Sequence, residues 1–583
     1  MIHTKDHKTG YLIDPWRHLG PKRRKLMEQS WAGLFREHIL CELPVCTLAP
    51  FFTEGFGRPT KELYTVLGVL IIQQMMDLTD EETVTHLAFN EQWHYALDIP
   101  DETDDSKYMS PRTLWSMRRI VTDHELDTLM FEHTSDTLGR VFNVDTSKQR
   151  IDSVHIRSNM RRLGRIRIFA ETIHTFLTNL KRRHRACFES VAQEVRDRYL
   201  SKEQLACFSM VKPSASAKTL TTVSADLCDL VQTFTDTPEI VAMHSYALMT
   251  RVLEEQCTVT EASDTMSAVA SPKPPREIPS DSLQNPSDPD AAYDGHKGQG
   301  YQVQVMETYC DDTDKNVRDQ TLNLITHVEV EPACASDANA LIPALQSTKD
   351  RHCAPTEVLA DSLYGSDENV RNAHEMGTEV IAPAMGAPRE HAVMLSDFTF
   401  APSGKVLACP RGYAPMMTKH KKNRHTAGFN VGHCSACALV EECPVKAGKK
   451  YYYLHYDDKA QRIARRRAEE QTPDFKDRYR YRAGSEATMS EYDRRTGVKQ
   501  LRVRGLANVR FCAKLKAIGV NIFRATAVCK AIQMATSPRG GAIQHLFHQF
   551  YVLKERYCIW HRHVTDLITS HRCVSLRDDQ AVA

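Results

Sequence analysis

The sequence predicts an α/β protein in which a mixed sheet flanked by helices is joined to an all-helical N-terminal domain and a cysteine-rich insertion. Three observations support this prediction. Apolar residues recur at helical spacing before residue 142, and strand-like runs alternate with helical segments after residue 149. Four cysteines in a loop-rich stretch then interrupt the periodicity. At 583 residues the chain is long enough for roughly two to four domains.

The predicted N-terminal domain, residues 1–142, has strong helix signals. One apolar face is formed by Leu63, Val66, Leu67, Leu70 and Ile71. The start signals are two capping boxes, Thr79 with Glu82 and Thr122 with Glu125, and the pair Ser110-Pro111. A helical bundle without chemistry explains these features. A helical module placed ahead of a catalytic core could also grip DNA, and we predict DNA binding here.

The predicted core occupies residues 143–385 and 471–535. Its first strand is RIDSVHIRSN, with Asp152 near the centre. A helical insertion and linker follow over residues 160–292. The last part of this segment, from about 257 to 290, is rich in Ser and Pro and too poor in apolar residues to pack.

The sheet resumes at GYQVQVMET and NLITHVEVEPA, whose alternating patterns predict two strands joined by a hairpin. A helix is expected from Asp337 to Asp350. EVLADSLYGS is an apolar run that enters Asp361, as in a central strand buried on both faces. Ser366 then caps a helix that ends near Gly377, and TEVIAPA forms one more strand. A helix over Leu506 to Met534 closes the core, and residues 536–583 form a C-terminal tail.

Two acidic residues lie inside apolar strands, where a carboxylate is costly unless it is paired or holds a cation. These are Asp152 and Asp361. A buried Asp that caps a turn is the ordinary explanation for either one alone. Two converging carboxylates on one sheet favour Mg²⁺ or Mn²⁺, hard ions that prefer oxygen ligands.

A third acid is available in YRYRAGSEATMSEYDRR, which offers Glu486 and Glu491. On a helix, Tyr479, Arg482 and Glu486 would share one face. Glu486 could then reach the metal ions while Arg482 contacts a phosphate through two hydrogen bonds. An ordinary surface ion pair between Arg482 and Glu486 is the alternative.

The blocks that contain these acids resemble those of the bacterial insertion-sequence DDE transposases. RIDSVHIRSN is similar to the family's first-Asp strand, and ADSLYGSDEN to its second-Asp block. Tyr479, Arg482 and Glu486 reproduce the Y-(2)-R-(3)-E part of the YREK signature. GHKGQGYQVQV, RVRGLANVR and the apolar helix region from residue 63 to 97 resemble further family segments. The Lys expected seven residues after Glu486 is Asp493 here, so its role either passes to a neighbouring arginine or is absent.

The resemblance, which runs from about residue 55 to 525, implies an RNase H-like core. In it Asp152, Asp361 and Glu486 are catalytic and bind two Mg²⁺ or Mn²⁺ ions. The implied partners are double-stranded DNA, as terminal inverted repeats and target, and a second copy of the chain in a homodimer. Expected DNA contacts are Tyr479, Arg482, Arg494, Arg495, Lys499, Arg502 and Arg504. Asp145, Asp290 and Glu491 compete for places in the triad but fit no family block.

The cysteine-rich insertion is predicted over residues 386–470. Cys434 and Cys437 form a CxxC pair, a typical half-site for tetrahedral Zn²⁺. Cys409 and Cys443 could complete a Cys₄ site, or His433 or His425 could replace one cysteine. Reduced thiols and a redox pair are the alternatives. A structural zinc ion is the favoured interpretation, because the segment cannot bury much apolar area by itself.

The net charge of +1 does not by itself indicate a nucleic-acid partner, but basic residues are clustered. The clusters are KHKKNRH (419–425), RIARRR (462–467) and RRTGVKQLRVRGLANVR (494–510). They are typical of a solvated face or of a surface that binds a polyanion. The polar N-terminus and the absence of a long apolar run lead us to expect a cytoplasmic protein without a membrane segment.

The predicted function is metal-dependent phosphodiester hydrolysis and strand transfer at the ends of an insertion sequence. Two alternatives stay open. One is a catalytically inactive, domesticated transposase that only binds DNA, and the other is an RNase H-like nuclease that cuts without joining. Activity is favoured because all three acids stand in recognisable blocks.

Overall fold

The computed structural model describes residues 2–52, 59–260, 269–386 and 393–536. The predicted tail lies outside these ranges from residue 537 onward. None of the helices in the described ranges combines the length and the apolar character that crossing a bilayer requires.

The described part of the N-terminal region contains helices and turns and no strand, as predicted, and its first helix begins at Pro21. Its α-helices are α1 (Pro21–Glu28), α2 (Trp31–Leu34), α3 (Val45–Leu48), α4 (Leu63–Met75), α5 (Asp80–Phe89), α6 (Glu91–Ala96), α7 (Asp104–Lys107), α8 (Pro111–Asp123) and α9 (Leu126–Val141). Short π or 3-10 turns cover Phe35–Ile39, Leu40–Glu42 and Ala49–Phe51.

Two of the three predicted helix starts in this region are confirmed. Thr79 and Glu82 form a reciprocal capping box at α5, and the Ser110 hydroxyl accepts a hydrogen bond from the Thr113 amide at α8. The second capping box was wrong. Thr122 lies in the last turn of α8, and α9 begins after Glu125, whose φ is 55°. A left-handed residue there turns the chain between the helices, so no Ser/Thr cap is needed.

The strands that follow are β1 (Lys148–Arg157), β2 (Cys257–Thr260), β3 (Val269–Pro272), β4 (Ala292–Asp294), β5 (Gly298–Thr308), β6 (Ile325–Pro332), β7 (Glu357–Leu359), β8 (Glu379–Ile381), β9 (Thr399–Phe400), β10 (Val406–Ala408), β11 (Met417–Lys421), β12 (Arg424–Phe429), β13 (Lys446–Ala447) and β14 (Tyr452–Asp457).

The helices that follow are α10 (Arg165–Arg183), α11 (Arg185–Ser190), α12 (Gln193–Leu200), α13 (Lys202–Cys207), α14 (Pro213–Phe234), α15 (Pro238–Val241), α16 (His244–Gln256), α17 (Lys315–Gln320), α18 (Leu341–Asp350), α19 (Asp367–Glu375), α20 (Val431–Ser435), α21 (Asp458–Glu469), α22 (Pro473–Tyr479), α23 (Gly484–Thr496) and α24 (Leu506–Thr536). Further 3-10 turns cover Pro275–Glu277, Asp337–Asn339, Leu395–Asp397 and Arg480–Ala483.

The central sheet is mixed. Its order is β6-β5-β1-β7-β8, with the short β4 also paired to β5. β5 is antiparallel to β1, β4 and β6, whereas β1, β7 and β8 are parallel. The predicted hairpin between β5 and β6 is present, with α17 in its connection. The predicted sequence of strands and helices in the core is therefore confirmed.

Helices cover both faces of this sheet. α18 and α19 pack on the face that presents Ile151, Met306 and Val358. The opposite face, with Val154 and Val303, joins a single apolar core made with α24 and the N-terminal helices α4 and α9. α4 is buried almost all round because α24 packs against it within this core. Residue 142 thus marks a change of secondary structure, while the apolar core continues across it.

The helical insertion has a core of its own, formed by α10, α12, α14 and α16 with the β2–β3 hairpin. The expectation that the segment from 257 to 290 does not pack was wrong. Leu283 is fully buried in the insertion core, and Asp288 accepts a hydrogen bond from the buried Tyr301 hydroxyl. Single well-placed contacts of this kind hold the segment despite its polar composition.

The cysteine-rich region contains a four-stranded sheet of order β11-β12-β14-β13 and the small β9–β10 pair. Its apolar cluster consists of Phe398, Val406, Ala427, Phe429, Leu454 and Tyr456. α21 leads from β14 back to the central sheet.

Candidate active site

Asp152 lies within β1, as predicted, whereas the expectation that Asp361 lies inside a strand was wrong. Asp361 follows the end of the neighbouring parallel strand β7 by two residues, because the strand pairing stops at Leu359. In the pairing of β1 with β7, Arg150 stands opposite Leu359, and each aspartate follows two residues later. Adjacent strands are about 4.8 Å apart. The Asp361 Oδ1 atom accepts a hydrogen bond of 2.8 Å from the Leu363 amide, which holds the turn after β7. The sheet therefore brings two of the predicted acids to one edge.

The surroundings of Asp152 disfavour the charged form of its carboxyl group. Its side chain is 14% exposed. Burial raises the pKa of Asp152, the Arg482 guanidinium opposes this, and the carboxylates of Asp361 and Asp337 raise the pKa further. The net shift of the pKa is upward, with burial as its largest cause, so Arg482 does not offset burial and the two carboxylates together. A hard divalent cation would relieve this repulsion, and in that sense these residues fit a metal site.

Asp337 is an acid of this neighbourhood that the sequence did not reveal. It is nearly buried, and its Oδ1 accepts a hydrogen bond of 2.8 Å from the Gln304 amide. Lys297 Nζ lies 3.8 Å from its other carboxylate oxygen. In the sequence Asp337 reads as the first residue of an ordinary helix. Only the pairing of β5 with β1 brings it near Asp152.

Glu486 approaches the same edge from α23, and Arg482 lies between it and Asp152. Arg482 Nη2 is 3.1 Å from Asp152 Oδ2, and Nη1 is 3.6 Å from Glu486 Oε1. The Glu486 side chain is 76% exposed. Arg482 Nε is buried and has no hydrogen-bond partner in the described part of the chain. The Nε donor is therefore unpaired, and because it is buried, a phosphate oxygen could reach it only after a movement of the side chain.

The expectation that Tyr479, Arg482 and Glu486 share one face of a single α-helix was wrong in detail. Tyr479 is the last residue of α22, Arg482 lies in the 3-10 turn Arg480–Ala483, and α23 begins at Gly484. The tighter turn rotates Arg482 relative to the helix that carries Glu486. Arg482 contacts Asp152 as a result. Tyr479 also lies near the site, since burial and then Asp361 and Asp152 raise its pKa.

A buried charged network fixes α23 over the sheet. Glu307 on β5 receives Arg150 Nε at 2.7 Å and Arg524 Nη1 at 2.7 Å. The Thr488 hydroxyl of α23 donates to the same carboxylate at 2.7 Å. Together these contacts tie β1, β5, α23 and α24 to one another. The position of Glu486, half a turn before Thr488, follows from this network.

The network also reaches the turn that carries Arg482. Arg150 Nη1 donates a hydrogen bond of 2.8 Å to the Tyr481 carbonyl. The guanidinium passes directly over Gly484, where any Cβ atom would collide with it. A side chain at this position would push the Arg150 guanidinium away from the Tyr481 carbonyl, through which β1 holds the 3-10 turn.

The three competing acids have structural contacts instead. Asp145 accepts a hydrogen bond from the Ser147 amide at 2.9 Å, and Asp290 accepts one from the Leu506 amide at 2.8 Å. Glu491 forms ion pairs with Arg495 at 2.7 Å and Arg524 at 2.8 Å. Each of them caps or anchors an element.

The basic residues predicted to contact DNA differ in their availability. Arg494 and Arg504 are exposed. Lys499 lies 3.8 Å from the Asp493 carboxylate, a loose pair. Arg495 is held by Glu491, and Arg502 makes a two-pronged contact with Asp77, at 3.0 Å and 3.2 Å. A phosphate would have to compete with those two carboxylates.

The RIARRR cluster mostly faces inward. Arg462 forms a two-pronged ion pair with Asp367 at 2.7 Å and 2.9 Å. Arg466 donates to the carbonyls of Gly365 and Ala382, and Arg467 donates to that of Gly386. These contacts attach α21 to the loop that follows Asp361. Of the three basic clusters, only KHKKNRH, on the β11–β12 hairpin, is fully solvent-facing apart from His425.

The four predicted cysteines line a single apolar pocket, with Tyr413 and His433 also in its wall. Burial raises the pKa of Cys434, and the neighbouring Cys409, Cys443 and Cys437 thiols raise it further. His425 is not in this wall. Its Nε2 lies 2.7 Å from Asp458 Oδ1, so His425 is not positioned to replace a cysteine.

A compact group of potential metal ligands lies outside both the acidic site and the cysteine pocket. Within the described ranges, the group that places three His, Cys or carboxylate ligand atoms within 4.8 Å of one another is His420, His425 and Asp458. The three predicted acids and the four cysteines are gathered more loosely. Closing either set around an ion requires side-chain movement, and for the acids the exposed Glu486 side chain would have to leave its ion pair with Arg482.

Comparison with known proteins gives a match to a family model. A family model described as "Transposase DDE domain" matches residues 408–526. The match includes Glu486, Arg482 and the cysteines, and it begins after Asp152 and Asp361. No curated protein and no solved structure matches the chain. The family match supports a DDE transposase.

Proposed function

We propose that this chain is a DDE transposase of the insertion-sequence type, which hydrolyses the phosphodiester bond at the ends of its element and joins the exposed 3′-OH to target DNA. The observation that carries the proposal is the convergence at one sheet edge of Asp152, Asp361 and an arginine that also reaches Glu486. The match to a transposase DDE domain supports it independently.

The core topology supports an RNase H-like assignment. Three antiparallel strands, β6, β5 and β1, are followed across the sheet by the parallel strands β7 and β8. Asp152 lies on β1, Asp361 follows β7 by two residues, and Glu486 is on α23, after the inserted region. We infer an RNase H-like core interrupted by the helical insertion and by the cysteine-rich region, with the domain limits that the sequence predicts.

Asp152, Asp361 and Glu486 would hold two Mg²⁺ or Mn²⁺ ions, which when bound activate the attacking oxygen and stabilise the leaving oxygen. The protein's own residues supply the positioning. Asp361 is fixed by the Leu363 amide, and α23 is fixed through Thr488 and Glu307. Arg482 lies between Asp152 and Glu486, and its guanidinium would contact the scissile phosphate there.

DNA would be gripped mainly by basic side chains that are exposed. On the β11–β12 hairpin, Lys419, Lys421 and Arg424 project from the same outer face of the sheet. Arg494 and Arg504 follow the Glu486 helix. Contacts of this type make binding fall steeply with salt. We further propose that the chain acts as a homodimer on paired ends of the element and that its N-terminal helices also contact DNA. The proposed location is the cytoplasm.

For the cysteine pocket we propose a structural Zn²⁺ bound by Cys409, Cys434, Cys437 and Cys443. The four cysteines line one pocket, which supports this proposal. Zinc binding would deprotonate them and draw them together.

The experiment is a cleavage and joining assay on the inverted repeats that flank the coding region. The wild-type chain, Asp361→Asn and the control Asp145→Asn are compared in Mg²⁺. Nicking and joined products from wild type and control, both lost in Asp361→Asn, are expected. DNA binding without any nicking would favour the inactive alternative, and nicking without joined products would favour the simple nuclease. Loss of cleavage in Asp145→Asn alone would overturn the residue assignment.

A further inference from the structure

We propose that His420, His425 and Asp458 form a binding site for a divalent transition-metal ion of the zinc type, separate from both the acidic edge and the cysteine pocket. The site lies where the β11–β12 hairpin meets the first residue of α21. It requires neither a catalytic activity nor DNA, and so it stands apart from the proposed function.

The hairpin places the two histidines side by side. His420 and His425 are direct cross-strand partners in the antiparallel pairing. Between them lie the next pair, Lys421 and Arg424, and a two-residue connection. Their rings are stacked, with centroids 4.0 Å apart and planes 9° from parallel. A second stack, His425 on Tyr456 at 4.8 Å, holds the inner ring. The imidazoles are thus oriented before any ligand arrives.

Both histidines direct the same ring nitrogen to one carboxylate oxygen. Asp458 Oδ1 lies 2.7 Å from His425 Nε2 and 3.8 Å from His420 Nε2. Two ligands of one tetrahedral zinc ion, each about 2.0–2.1 Å from the metal, are about 3.3 Å apart. The two observed separations lie on either side of this value. Small side-chain shifts would therefore place all three atoms around one ion, and solvent can supply the fourth ligand.

The backbone holds Asp458 against the hairpin as well. The Asp458 amide donates a hydrogen bond of 3.2 Å to the carbonyl of Asn423 in the hairpin turn. His425 is buried, whereas His420 and Asp458 have side chains 47% and 45% exposed. One ligand is therefore fixed in the interior and two are open to an incoming ion.

The basic residues of the hairpin do not face this group. Side chains alternate along a strand, so Lys419, Lys421 and Arg424 project from the face opposite to the histidines. Imidazole and carboxylate ligands together suit zinc, and imidazole also suits copper, nickel and iron. The donor set therefore selects a transition metal over Mg²⁺.

A bound ion would have a mechanical effect. It would clamp the hairpin to the N-terminus of α21, whose Arg462 and Arg466 are bonded to Asp367, Gly365 and Ala382 around the Asp361 loop. The clamp would make the hairpin and the central sheet one stiff unit. Zinc would accordingly stabilise the chain against unfolding.

The test uses the full chain, stripped of metal with a chelator and reloaded with Co²⁺ or Zn²⁺. Metal per chain is measured by mass spectrometry for wild type, His420→Ala and the control Lys421→Ala, which removes an exposed neighbour from the other face. Loss of one equivalent, or at least a tenfold weaker affinity, is expected for His420→Ala alone. The charge-transfer absorption of cobalt bound to thiolates should be unchanged in that variant.

A second measurement covers the case in which the cysteines dominate the metal content. In a Cys434→Ser, Cys437→Ser background, checked for folding by circular dichroism, one equivalent of zinc should remain and should depend on His420. If that background does not fold, the cobalt measurement on the wild-type cysteines decides. Equal metal content and affinity in wild type and His420→Ala would overturn the proposal and leave an ordinary His425–Asp458 hydrogen bond.

Discussion

Glu307 and Asp152 lie on neighbouring strands of the central sheet, and the pKa values of their carboxyl groups are shifted in opposite directions. Glu307 is 2% exposed, and burial alone would raise its pKa, but Arg524 and Arg150 together lower the pKa below its usual range. Asp152 is also largely buried, and its pKa is raised because Arg482 does not offset burial and the nearby Asp361 and Asp337. The same strand pair thus carries one compensated and one uncompensated negative charge.

The difference separates a structural from a functional role. A compensated buried carboxylate locks elements together, and Glu307 joins four of them. An uncompensated one raises the energy of the folded chain and persists where a ligand supplies the missing charge. The comparison predicts that the two residues fail differently when they are neutralised.

The largest expected effect is on activity. If Asp152 is a ligand of the proposed metal site, Asp152→Asn should reduce cleavage by on the order of a thousandfold or more, as for an essential catalytic group, because the variant loses that charge. Its unfolding transition should be no lower than that of wild type. Cleavage rates and thermal melts check this, with Asp145→Asn as the matched carboxylate control. A marked drop in stability with activity retained would make Asp152 structural and reverse the comparison.

Glu307→Gln should show the converse. Removing one partner of a buried ion pair costs about 3–5 kcal/mol, because Arg150 and Arg524 are left without their shared carboxylate. Urea denaturation measures the loss. Glu469→Gln, which removes the exposed i,i+4 pair with Arg465, should cost under about 1 kcal/mol. Equal effects of the two substitutions would contradict the structural role of Glu307.

The sequence was informative where local pattern determines structure. The strands around Asp152 and Asp361, the Ser366 cap and the four-cysteine cluster follow from short-range alternation, capping and spacing. The Glu307 network was not predictable, because Arg150 and Arg524 lie 157 and 217 residues away from it. Asp337 was missed for the same reason. The 3-10 turn at Arg480–Ala483 was missed because helical spacing does not distinguish it from an α-helix.

Arg482 is the single guanidinium in contact with Asp152 among the described residues, so its removal should leave Asp152 still less compensated than Glu307. Arg482→Met should lower cleavage about a hundredfold, on the order of the loss of one charge-stabilising donor. It should also raise the pKa of Asp152 further, so the acid limb of the pH–rate profile moves to higher pH.

The matched control is Arg480→Met, which removes an exposed arginine from the same turn. It should leave the pH profile in place. Arg482→Lys should restore the position of the acid limb more than it restores the rate, because a lysine keeps the charge without the forked donors. A lower rate with an unshifted profile in Arg482→Met would show that Arg482 acts on phosphate alone.

The smallest expected effect is on the pH dependence of stability without metal. The pKa of Asp152 is raised in the folded chain, so its contribution to stability is full below the unfolded pKa of an aspartate, about 3.9, and is lost as pH rises through the folded pKa. Asp152→Asn lacks this loss. The melting temperature of the variant minus that of wild type should therefore grow by about 1–3 °C between pH 4 and pH 7.

Asp145 provides a control of opposite sign. Hydrogen bonds from Ser147 lower its pKa, so its contribution is present above the unfolded pKa and is lost as pH falls through the folded one. For Asp145→Asn the same temperature difference should become more negative as pH rises. Mg²⁺ should raise the melting temperature of the wild-type chain at pH 7, because the cation supplies the positive charge that Asp152 lacks. It should leave the melting temperature of Asp152→Asn unchanged. A temperature difference for Asp152→Asn that is flat with pH and insensitive to Mg²⁺ would mean that Asp152 is already compensated.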